Sequence, residues 1–494
     1  MAILKTMKQA VPMTFDLDSH GPAWRPAFEA VAATIGGRIV SAQRQARWRP
    51  VFWIEVERPG GEVVPVCFRG ARTEQGKANT IRHEYDCLRV LEQHGIPVPK
   101  IYGYCEKPEG VIMQKVPGRP DLATADSPEA FESVRDQFIE TLARIHSLPT
   151  GDFEAFGLER LGTPRDLALG DSARGIVYFR ARKPRPDPVV EFLIDWCERH
   201  VPPDRSECCF VTGDSGQFIF EGDRLTAMLD MELAYLGDPL ADLGGLFCRD
   251  LTEKMGDLEV AIARYEQLIG RPVDRRVVLY HAIRFALTTP LGTGPLLARP
   301  NVAVEYVQYW TWYLVYSRAA LELIAYLQSG GLQSSGLQSS GLQSSGVESA
   351  DLASADRESI DLADPELPTE TLSPYAVAHD SLQAKFAAFE TSNEFQAYEA
   401  DGLRRLALYL RQGDRYGADL LAKDLDDAAK LLGHRPPTWQ ARDEALSELV
   451  QSQRGERDAE LIAYLVRRLK REEALIAPAR RDLVGASMQR LRLD

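Results

Sequence analysis

Residues 211–242 constrain this chain more than any other segment, because they place two carboxylates, Asp214 and Asp230, on either side of a predicted β-hairpin. Asp214 lies in a loop rich in glycine and serine. The apolar residues 217–220 predict a strand, a Glu-Gly-Asp sequence predicts a tight turn, and residues 225–229 predict the returning strand. Asp230 ends that strand, so its carboxylate returns to the loop that holds Asp214. One acid of such a pair can orient a hydroxyl and accept its proton, while the other binds Mg²⁺.

The residues around this hairpin resemble the aminoglycoside-phosphotransferase-like kinases, whose members carry a His-Gly-Asp-x-x-x-x-Asn loop, a hairpin and an Ile/Leu-Asp-Trp/Phe-Glu segment. The matching residues are Gly213-Asp214, Leu229-Asp230 with Glu232, Gly237-Asp238-Pro239 and Asp242-Leu243. The resemblance implies that Asp214 is the catalytic aspartate and that Asp230 binds the metal ion. Thr212 stands where the family usually has histidine, and Gln217 is the best substitute for the family's asparagine. An amide oxygen is a ligand type that Mg²⁺ accepts, so we expect Gln217 and Asp230 to hold the ion together.

The segment before the hairpin predicts the small lobe of a kinase. Alternating apolar residues predict strands at 37–44, 51–57 and 62–69, helical spacing predicts a helix over 80–94, and a further strand includes 111–114. The resemblance implies that Arg69 takes the place of the family's phosphate-binding lysine and pairs with Glu84 on the helix. It also implies that the backbone around Gln114 and Val116 binds the adenine edge. The expected fold class is α+β, a protein-kinase-like two-lobed fold with a β-rich N-lobe and a mainly helical C-lobe.

The turn between the first two strands, residues 43–50, contains no glycine and carries Arg44, Arg47 and Arg49. Glycine-rich loops bind phosphate through backbone N–H groups, so here guanidinium groups, Arg47 among them, would have to replace those donors. The alternative is that the three arginines are solvated charges on an exposed hairpin. The sequence leaves both interpretations open.

Three other polar residues are expected to be structural. His146 ends a predicted helix, and we interpret it as a hydrogen-bonded residue of the fold instead of a general base. Glu232 and Asp242 are expected to brace the catalytic loop and the helix ends.

Composition limits the partners and the location. The formal net charge of −14 disfavours nucleic acid or an anionic membrane as the main partner, and no apolar run is long enough to span a bilayer. The N-terminus lacks the apolar run of a signal peptide. Seven scattered cysteines without a Cys-x-x-Cys pair suggest neither a disulfide framework nor a zinc site, which fits a cytoplasmic protein.

The clearest boundary is a Leu-Gln-Ser-Ser-Gly sequence repeated three times over residues 332–346. A five-residue period of such residues cannot bury a core, so it predicts a flexible linker. The predicted domains are an N-terminal helical segment at 1–34, the N-lobe at 35–116, the C-lobe at 117–330, the linker at 331–370 and a C-terminal helical domain at 371–494.

The C-terminal region predicts an all-α bundle without a catalytic constellation. Amphipathic patterns occupy residues 382–389, 403–410, 425–432, 445–450 and 461–469. The basic residues Arg467, Arg468, Lys470 and Arg471 are expected to form a solvated face at one helix end. A homodimer or protein contact through this domain is a further expectation.

The expected activity is ATP- and Mg²⁺-dependent transfer of the γ-phosphoryl group to a hydroxyl of a small molecule. The alternative is a catalytically weak, nucleotide-binding pseudokinase, suggested by Thr212, Arg69 and the glycine-free loop. A purely helical scaffold would leave the 211–242 pattern unexplained.

Overall fold

The structure is a computed structural model that describes residues 15–47, 49–72, 80–299, 304–331, 360, 362, 364–366, 368–371 and 373–493. It contains a β-sheet region near the N-terminus followed by a mainly helical remainder. The expected α+β, two-lobed fold class with extra C-terminal helices is therefore confirmed. The Leu-Gln-Ser-Ser-Gly repeats at 332–346 lie outside the described residues, and the domain boundaries remain predictions.

The N-lobe is built on one antiparallel sheet in the order β1-β2-β3-β5-β4. Its strands are β1 (Arg38–Arg44), β2 (Val51–Glu57), β3 (Val63–Gly70), β4 (Ile101–Glu106) and β5 (Glu109–Gln114). β3 is the central strand, and its Arg69 lies opposite Val51 on one side and Val111 on the other. This central position holds the Arg69 backbone in two strand ladders at the end of the sheet nearest the C-lobe loops.

Two helices cover the sheet. Helix α1 (Arg25–Ile35) packs Phe28 against Phe52 and Phe68 in a core of its own. Helix α2 (Ile81–Gln93) is capped by Thr80, whose hydroxyl oxygen accepts a hydrogen bond from the backbone N–H of His83. Such a cap satisfies one of the free N–H groups of the first turn. The apolar face of α2 then brings Glu84 under the sheet, where it is 1% exposed.

The C-lobe consists of helices around two short strand pairs. The first helices are α3 (Pro128–His146), α4 (Gly151–Glu154), α5 (Pro164–Leu169), α6 (Ser172–Arg182) and α7 (Pro188–Arg199). Strands β6 (Cys209–Val211), β7 (Phe218–Glu221), β8 (Arg224–Met228) and β9 (Tyr235–Gly237) form the pairs β6-β9 and β7-β8. Helices α8 (Leu240–Thr252), α9 (Leu258–Ile269), α10 (Arg275–Leu297) and α11 (Tyr306–Gln328) complete the lobe. The predicted hairpin is thus the β7-β8 pair.

Helix α11 is the most apolar long helix of the C-lobe, and most of its residues are buried. It buries three polar side chains as well, Gln308, Arg318 and Glu322. The Arg318 guanidinium pairs with Glu322 Oε2 at 2.8 Å, which satisfies charge inside the core. No described helix combines the length and the apolar composition needed to cross a membrane.

The C-terminal helices are α12 (Ala376–Ala387), α13 (Glu394–Leu432), α14 (Trp439–Gln453) and α15 (Asp458–Ile476). The last three share one hydrophobic core with the C-lobe, whereas α12 has no buried residue. The patterns at 403–410 and 425–432 belong to the single helix α13, because the polar residues between them keep helical spacing. The first turn of α13 also reaches the N-lobe: Gln43 Nε2 donates to Glu394 Oε2 at 2.9 Å, and Arg44 lies over the Phe395 ring.

The expectation of a solvated basic face on α15 is wrong. Arg471 is only 5% exposed and pairs with Asp427, Arg468 Nη1 donates to Asp443 Oδ1 at 2.9 Å, and Lys470 Nζ lies 2.7 Å from Asp364 Oδ1. Acidic residues of α13 and α14 approach these cations in the folded bundle, so the charges join helices instead of facing water.

Deleting residues 332–346 is expected to change the melting temperature little and to leave activity intact. The repeats contribute no predicted core, and the entropy of loop closure changes only logarithmically with loop length. Differential scanning calorimetry of the full and shortened chains checks this. A large fall in melting temperature would show that the repeats are packed.

Candidate active site

The loop that carries Asp214 is held from below by Asp242 at the start of α8. Asp242 is 1% exposed, and its carboxylate accepts hydrogen bonds from Thr212 N at 2.8 Å, Thr212 Oγ1 at 2.7 Å and Gly213 N at 3.1 Å. His146 Nε2 lies 3.0 Å from Asp242 Oδ2, and His146 Nδ1 lies 2.6 Å from the Tyr265 hydroxyl. Thr212, His146 and Asp242 therefore position the loop and do not face the cleft.

Gly213 allows the Asp214 loop to lie directly against the loop that follows Asp230. Its φ is 83°, and a Cβ built there would lie 2.0 Å from the Leu233 carbonyl oxygen. Only glycine combines this conformation with this approach at no steric penalty. The glycine thus brings the two carboxylate loops together.

The Asp214 carboxylate has two donors and remains partly open. Arg249 Nη2 donates to Asp214 Oδ1 at 2.6 Å, and Gln217 Nε2 donates to Oδ2 at 2.6 Å, while the side chain is 27% exposed. Burial raises the pKa of Asp214 above its usual value, Arg249 opposes that rise, and the negative charge of Asp230 adds to it. A carboxylate with a raised pKa is a better proton acceptor than an ordinary one.

Replacing Arg249 with alanine is expected to move the acid limb of the pH–rate profile to higher pH. The reactive form of Asp214 is unprotonated, so the rate falls as the pH drops through its pKa, and the loss of the Arg249 charge raises that pKa further. Steady-state kinetics across the pH range check this. Arg249→Lys keeps the positive charge and should leave the acid limb near its original pH. An acid limb at the same pH in wild type and Arg249→Ala would contradict an effect of the Arg249–Asp214 ion pair on the pKa of Asp214.

Asp230 occupies a backbone conformation that few side chains adopt. Its φ of 59° is left-handed, a region that aspartate tolerates better than most residues. Asp230 Oδ1 lies 2.6 Å from Arg69 Nη2 in an ion pair, and Arg69 Nε donates to Glu84 Oε2 at 3.0 Å. Burial alone would raise the pKa of Asp230, but Arg69, with Arg49 and Arg72, holds it well below its usual range. Asp230 is therefore a permanent anion.

The three arginines of the turn between β1 and β2, Arg44, Arg47 and Arg49, have different surroundings. Arg49 is 2% exposed and pairs with Glu84 and Glu232, so it is neither solvated nor at the loop surface. Arg72 Nε donates to Glu232 Oε2 at 3.1 Å. Arg47 is exposed. Arg44, in contrast, stacks on aromatic rings away from the carboxylates, with Cζ 3.9 Å from the Phe395 centroid.

The residues around Asp230 suit a magnesium ion that arrives with a nucleotide. The described residues contain no group of three or more His, Cys, Asp or Glu side chains placed to hold a metal ion. Mg²⁺ bound with ATP needs only one or two carboxylates, because phosphates and waters supply the other oxygens. Asp230 Oδ1 is buried and contacts Arg69 Nη2 at 2.6 Å. The backbone bond from Leu229 N to Gln217 O, 2.9 Å long, brings Gln217 next to Asp230. A carboxylate and an amide oxygen are ligand types that Mg²⁺ accepts. The donor set therefore fits.

Gln217→Ala is expected to raise the Mg²⁺ concentration needed for half-maximal rate. The substitution removes the side-chain amide of a residue whose backbone is bonded to Leu229, the neighbour of Asp230, and it leaves both carboxylates in place. Rates measured over a series of Mg²⁺ concentrations at saturating ATP check this. An unchanged half-maximal concentration would exclude Gln217 as a ligand.

The predicted adenine-binding segment follows β5 directly. The backbone N–H of Gln114 donates to the Lys100 carbonyl at 2.8 Å, and that of Lys115 donates to the Pro65 carbonyl at 3.2 Å. Within the described part of the chain, the peptide groups of Val116 form no such bond. These groups, like the Lys115 carbonyl, therefore have no backbone partner among the described residues.

The structure brings most of the predicted site residues together and adds others. Gln217 contacts Asp214, and Arg69 contacts both Glu84 and Asp230. The backbone bond from Leu229 N to Gln217 O joins these two groups. Sequence reasoning missed Arg249, although it lies seven residues after Asp242 and hence on the same face of α8. It also missed Arg72, for which the sequence contains no signal.

Comparison with known proteins agrees with the geometry. Residues 43–277 match the profile of the phosphotransferase enzyme family, APH. Acyl-CoA dehydrogenase family member 11 of Rattus norvegicus is 27% identical over 254 residues, covering 47% of this chain and 30% of that protein. The protein of the same name from Gallus gallus is 31% identical over 178 residues, covering 34% of this chain and 22% of that protein. The chain thus spans less than a third of the length of these curated relatives.

Two solved structures illustrate the similarity of fold. A choline kinase from Streptococcus pneumoniae has a TM-score of 0.44 at 14% identity, covering 60% of this chain and 97% of that chain. A macrolide 2'-phosphotransferase from Brachybacterium faecium has a TM-score of 0.40 at 19% identity, covering 54% and 91%. Similarity at this level does not identify an acceptor. The profile match over residues 43–277 nevertheless agrees with the Asp214–Asp230 geometry, and the expected resemblance of this chain to the phosphotransferase enzyme family is confirmed.

Proposed function

We propose that this protein transfers the γ-phosphoryl group of ATP to a hydroxyl group of a small molecule. The observation that carries the proposal is the position of Asp214. Its partly exposed carboxylate, braced through Asp242, lines a cavity of about 310 Å³ and lies near the anionic Asp230. A carboxylate in this position can lie between an acceptor hydroxyl on one side and a nucleotide on the other.

In the proposed reaction, Asp214 accepts the proton of the acceptor hydroxyl. The hydroxyl oxygen forms a bond to the γ-phosphorus, the bond from that phosphorus to the β,γ-bridging oxygen breaks, and ADP leaves with the electron pair. The products are a phosphate monoester, ADP and a proton. Positioning and charge stabilisation supply most of the acceleration in such reactions, since the protein forms no covalent bond.

The nucleotide is proposed to lie between the lobes, with adenine at Val116 and the phosphates near Arg69 and Arg47. Asp230 and Gln217 would hold Mg²⁺, which when bound neutralises charge on the β- and γ-phosphates. Arg69 is an ion-pair partner of Asp230. The phosphates offer Arg69 new anionic partners, so nucleotide binding would release Asp230 toward the metal.

The second candidate is a nucleotide-binding module with weak or no transfer. The ion pairs favour it, because Arg249 engages Asp214 and Arg69 engages Asp230. Because each carboxylate is paired with an arginine, it is less available to a substrate or a metal ion.

Labelled ATP distinguishes the two candidates. Incubation of the full chain with ATP labelled at the γ-phosphate and a mixture of small metabolites should yield a labelled phosphate monoester that requires Mg²⁺. Binding of ATP without transfer to any acceptor would favour the module.

We also propose a cytoplasmic location, where Mg²⁺ and ATP are available. The cysteine pattern supports this: the seven thiols are all free, and five of them are buried, as expected of a reduced protein. A contact with a second copy through the C-terminal helices is proposed on the sequence alone.

A further inference from the structure

The cavity beside Asp214 has apolar walls built by the helices of the C-lobe. Its volume is about 310 Å³, and its apolar lining comes from Phe285, Leu291, Leu296, Tyr309, Trp312 and Tyr316 of α10 and α11. Arg72 and Arg249 also line the cavity, beside Glu232 and Asp214. A cavity of this kind gains most of its binding free energy from apolar surface removed from water.

Two of the four threonines that line the cavity, Thr288 and Thr293, add little polarity. Thr293 Oγ1 donates to the Thr289 carbonyl at 2.9 Å, and Thr288 Oγ1 donates to the Arg284 carbonyl at 3.4 Å. A hydroxyl that is bonded back to its own helix directs its hydrogen away from a ligand. These two threonines therefore leave their methyl groups as the contact surface.

The acidic residues of the lining are already neutralised. Asp171 accepts from Arg174 Nε at 2.8 Å, Glu232 pairs with Arg72, and Asp214 pairs with Arg249. A polycationic aminosugar needs several carboxylates that can pair with its ammonium groups, since buried unpaired cations are strongly unfavourable. The cavity offers such a ligand no carboxylate without an arginine.

We propose that this cavity holds the body of the phosphate acceptor, and that the acceptor is an uncharged alcohol with a largely apolar body. The proposal rests on the phosphotransferase function proposed above. A volume of about 310 Å³ lies within the range of small-molecule pockets, about 300–1,000 Å³. The hydroxyl lies at the Asp214 end, and the chain or ring of the alcohol contacts the α10–α11 wall.

Gly292 offers a way to block the cavity without touching the catalytic residues. It lines the cavity on α10, and a Cβ built there meets no atom within 4 Å. Gly292→Phe therefore places a ring at the cavity without a clash at its Cβ. Because glycine is a poor helix former, the substitution does not lower the intrinsic stability of the helix. Gly413 on α13 is a matched control, because it is also helical, outside the cavity and free of atoms within 4 Å.

The test is binding of 1-octanol to the full chain, measured by saturation-transfer NMR, with kanamycin A as the polycationic comparator. We expect 1-octanol to bind wild type and Gly413→Phe alike, and Gly292→Phe to bind it about tenfold more weakly or not at all, as the loss of a few buried methylene contacts predicts. Leu296→Glu, which adds a carboxylate to the wall, should also weaken 1-octanol binding. No 1-octanol binding to wild type, or equal binding to both phenylalanine variants, would overturn the inference.

A transfer assay separates this inference from the proposed function. Transfer of labelled phosphate to kanamycin A but not to 1-octanol would overturn the apolar acceptor and leave the phosphotransferase proposal intact. Binding of 1-octanol that Gly292→Phe abolishes, with no transfer to any alcohol, would contradict the phosphotransferase proposal and support the apolar cavity as a ligand site.

Discussion

Replacing Asp214 with asparagine is expected to reduce phosphoryl transfer by roughly 10²- to 10⁴-fold, the range for loss of a positioned general base. Asparagine has the size of aspartate and can still accept the hydrogen bond from Arg249. Its amide group can face Gln217 if the Gln217 carboxamide rotates to present oxygen. The change therefore removes the proton acceptor and keeps the loop.

Two measurements make this result specific. Calorimetric titration with Mg-ATP should give nearly equal affinities for Asp214→Asn and wild type, and turnover should fall only in the variant. Asp223→Asn is the matched control, because Asp223 is an exposed residue of the β7-β8 turn. Wild-type turnover by Asp214→Asn would refute the proposed mechanism. If neither protein turns over but both bind ATP, the nucleotide-binding module is the correct candidate.

Replacing Asp230 with asparagine is expected to weaken Mg-ATP binding by about a hundredfold or more, since even outer residues of metal sites contribute 10- to 100-fold in affinity. Asparagine tolerates the left-handed backbone at this position, whereas alanine would add strain. The variant also removes the anion that neutralises Arg69, Arg49 and Arg72. Loss of metal affinity and gain of positive charge are therefore separable consequences.

Titrations with and without Mg²⁺ distinguish these consequences. In the presence of Mg²⁺, ATP affinity should fall in Asp230→Asn; with EDTA, ATP affinity should be unchanged or higher, because the arginines have lost a competing carboxylate. Thermal melting monitored by circular dichroism tests whether the variant is folded. Equal Mg-ATP affinities for variant and wild type would remove Asp230 from the metal site.

Local patterns in the sequence determined the elements that carry the site. Alternating apolar residues around a Glu-Gly-Asp turn predict the β7-β8 hairpin, and the structure has strands at Phe218–Glu221 and Arg224–Met228. Thr80 and the helical spacing after it predict α2, which the structure begins at Ile81. Turns and helix caps depend on residues within a few positions of one another, so a sequence reports them directly.

Contacts between distant residues were decided only by the tertiary structure. Arg249 pairs with Asp214 across 35 positions, and Arg72 pairs with Glu232 across 160. The sequence of α15 taken alone predicts that its basic residues face water. In the structure, however, Arg471 is buried against Asp427. The partner of a charge depends on which other elements pack beside it, and local spacing contains no record of that packing.

The sequence by itself thus determined the hairpin with its two carboxylates, the N-lobe strands and the expected pairing of Arg69 with Glu84. The tertiary structure alone decided the arginine partners of Asp214 and Asp230 and the apolar cavity beside Asp214. The physical reason is the separation along the sequence of the residues that interact. Hairpins and helices form from interactions between near neighbours, whereas ion pairs between lobes and the shape of a cavity arise where α10, α11 and both carboxylate loops pack together.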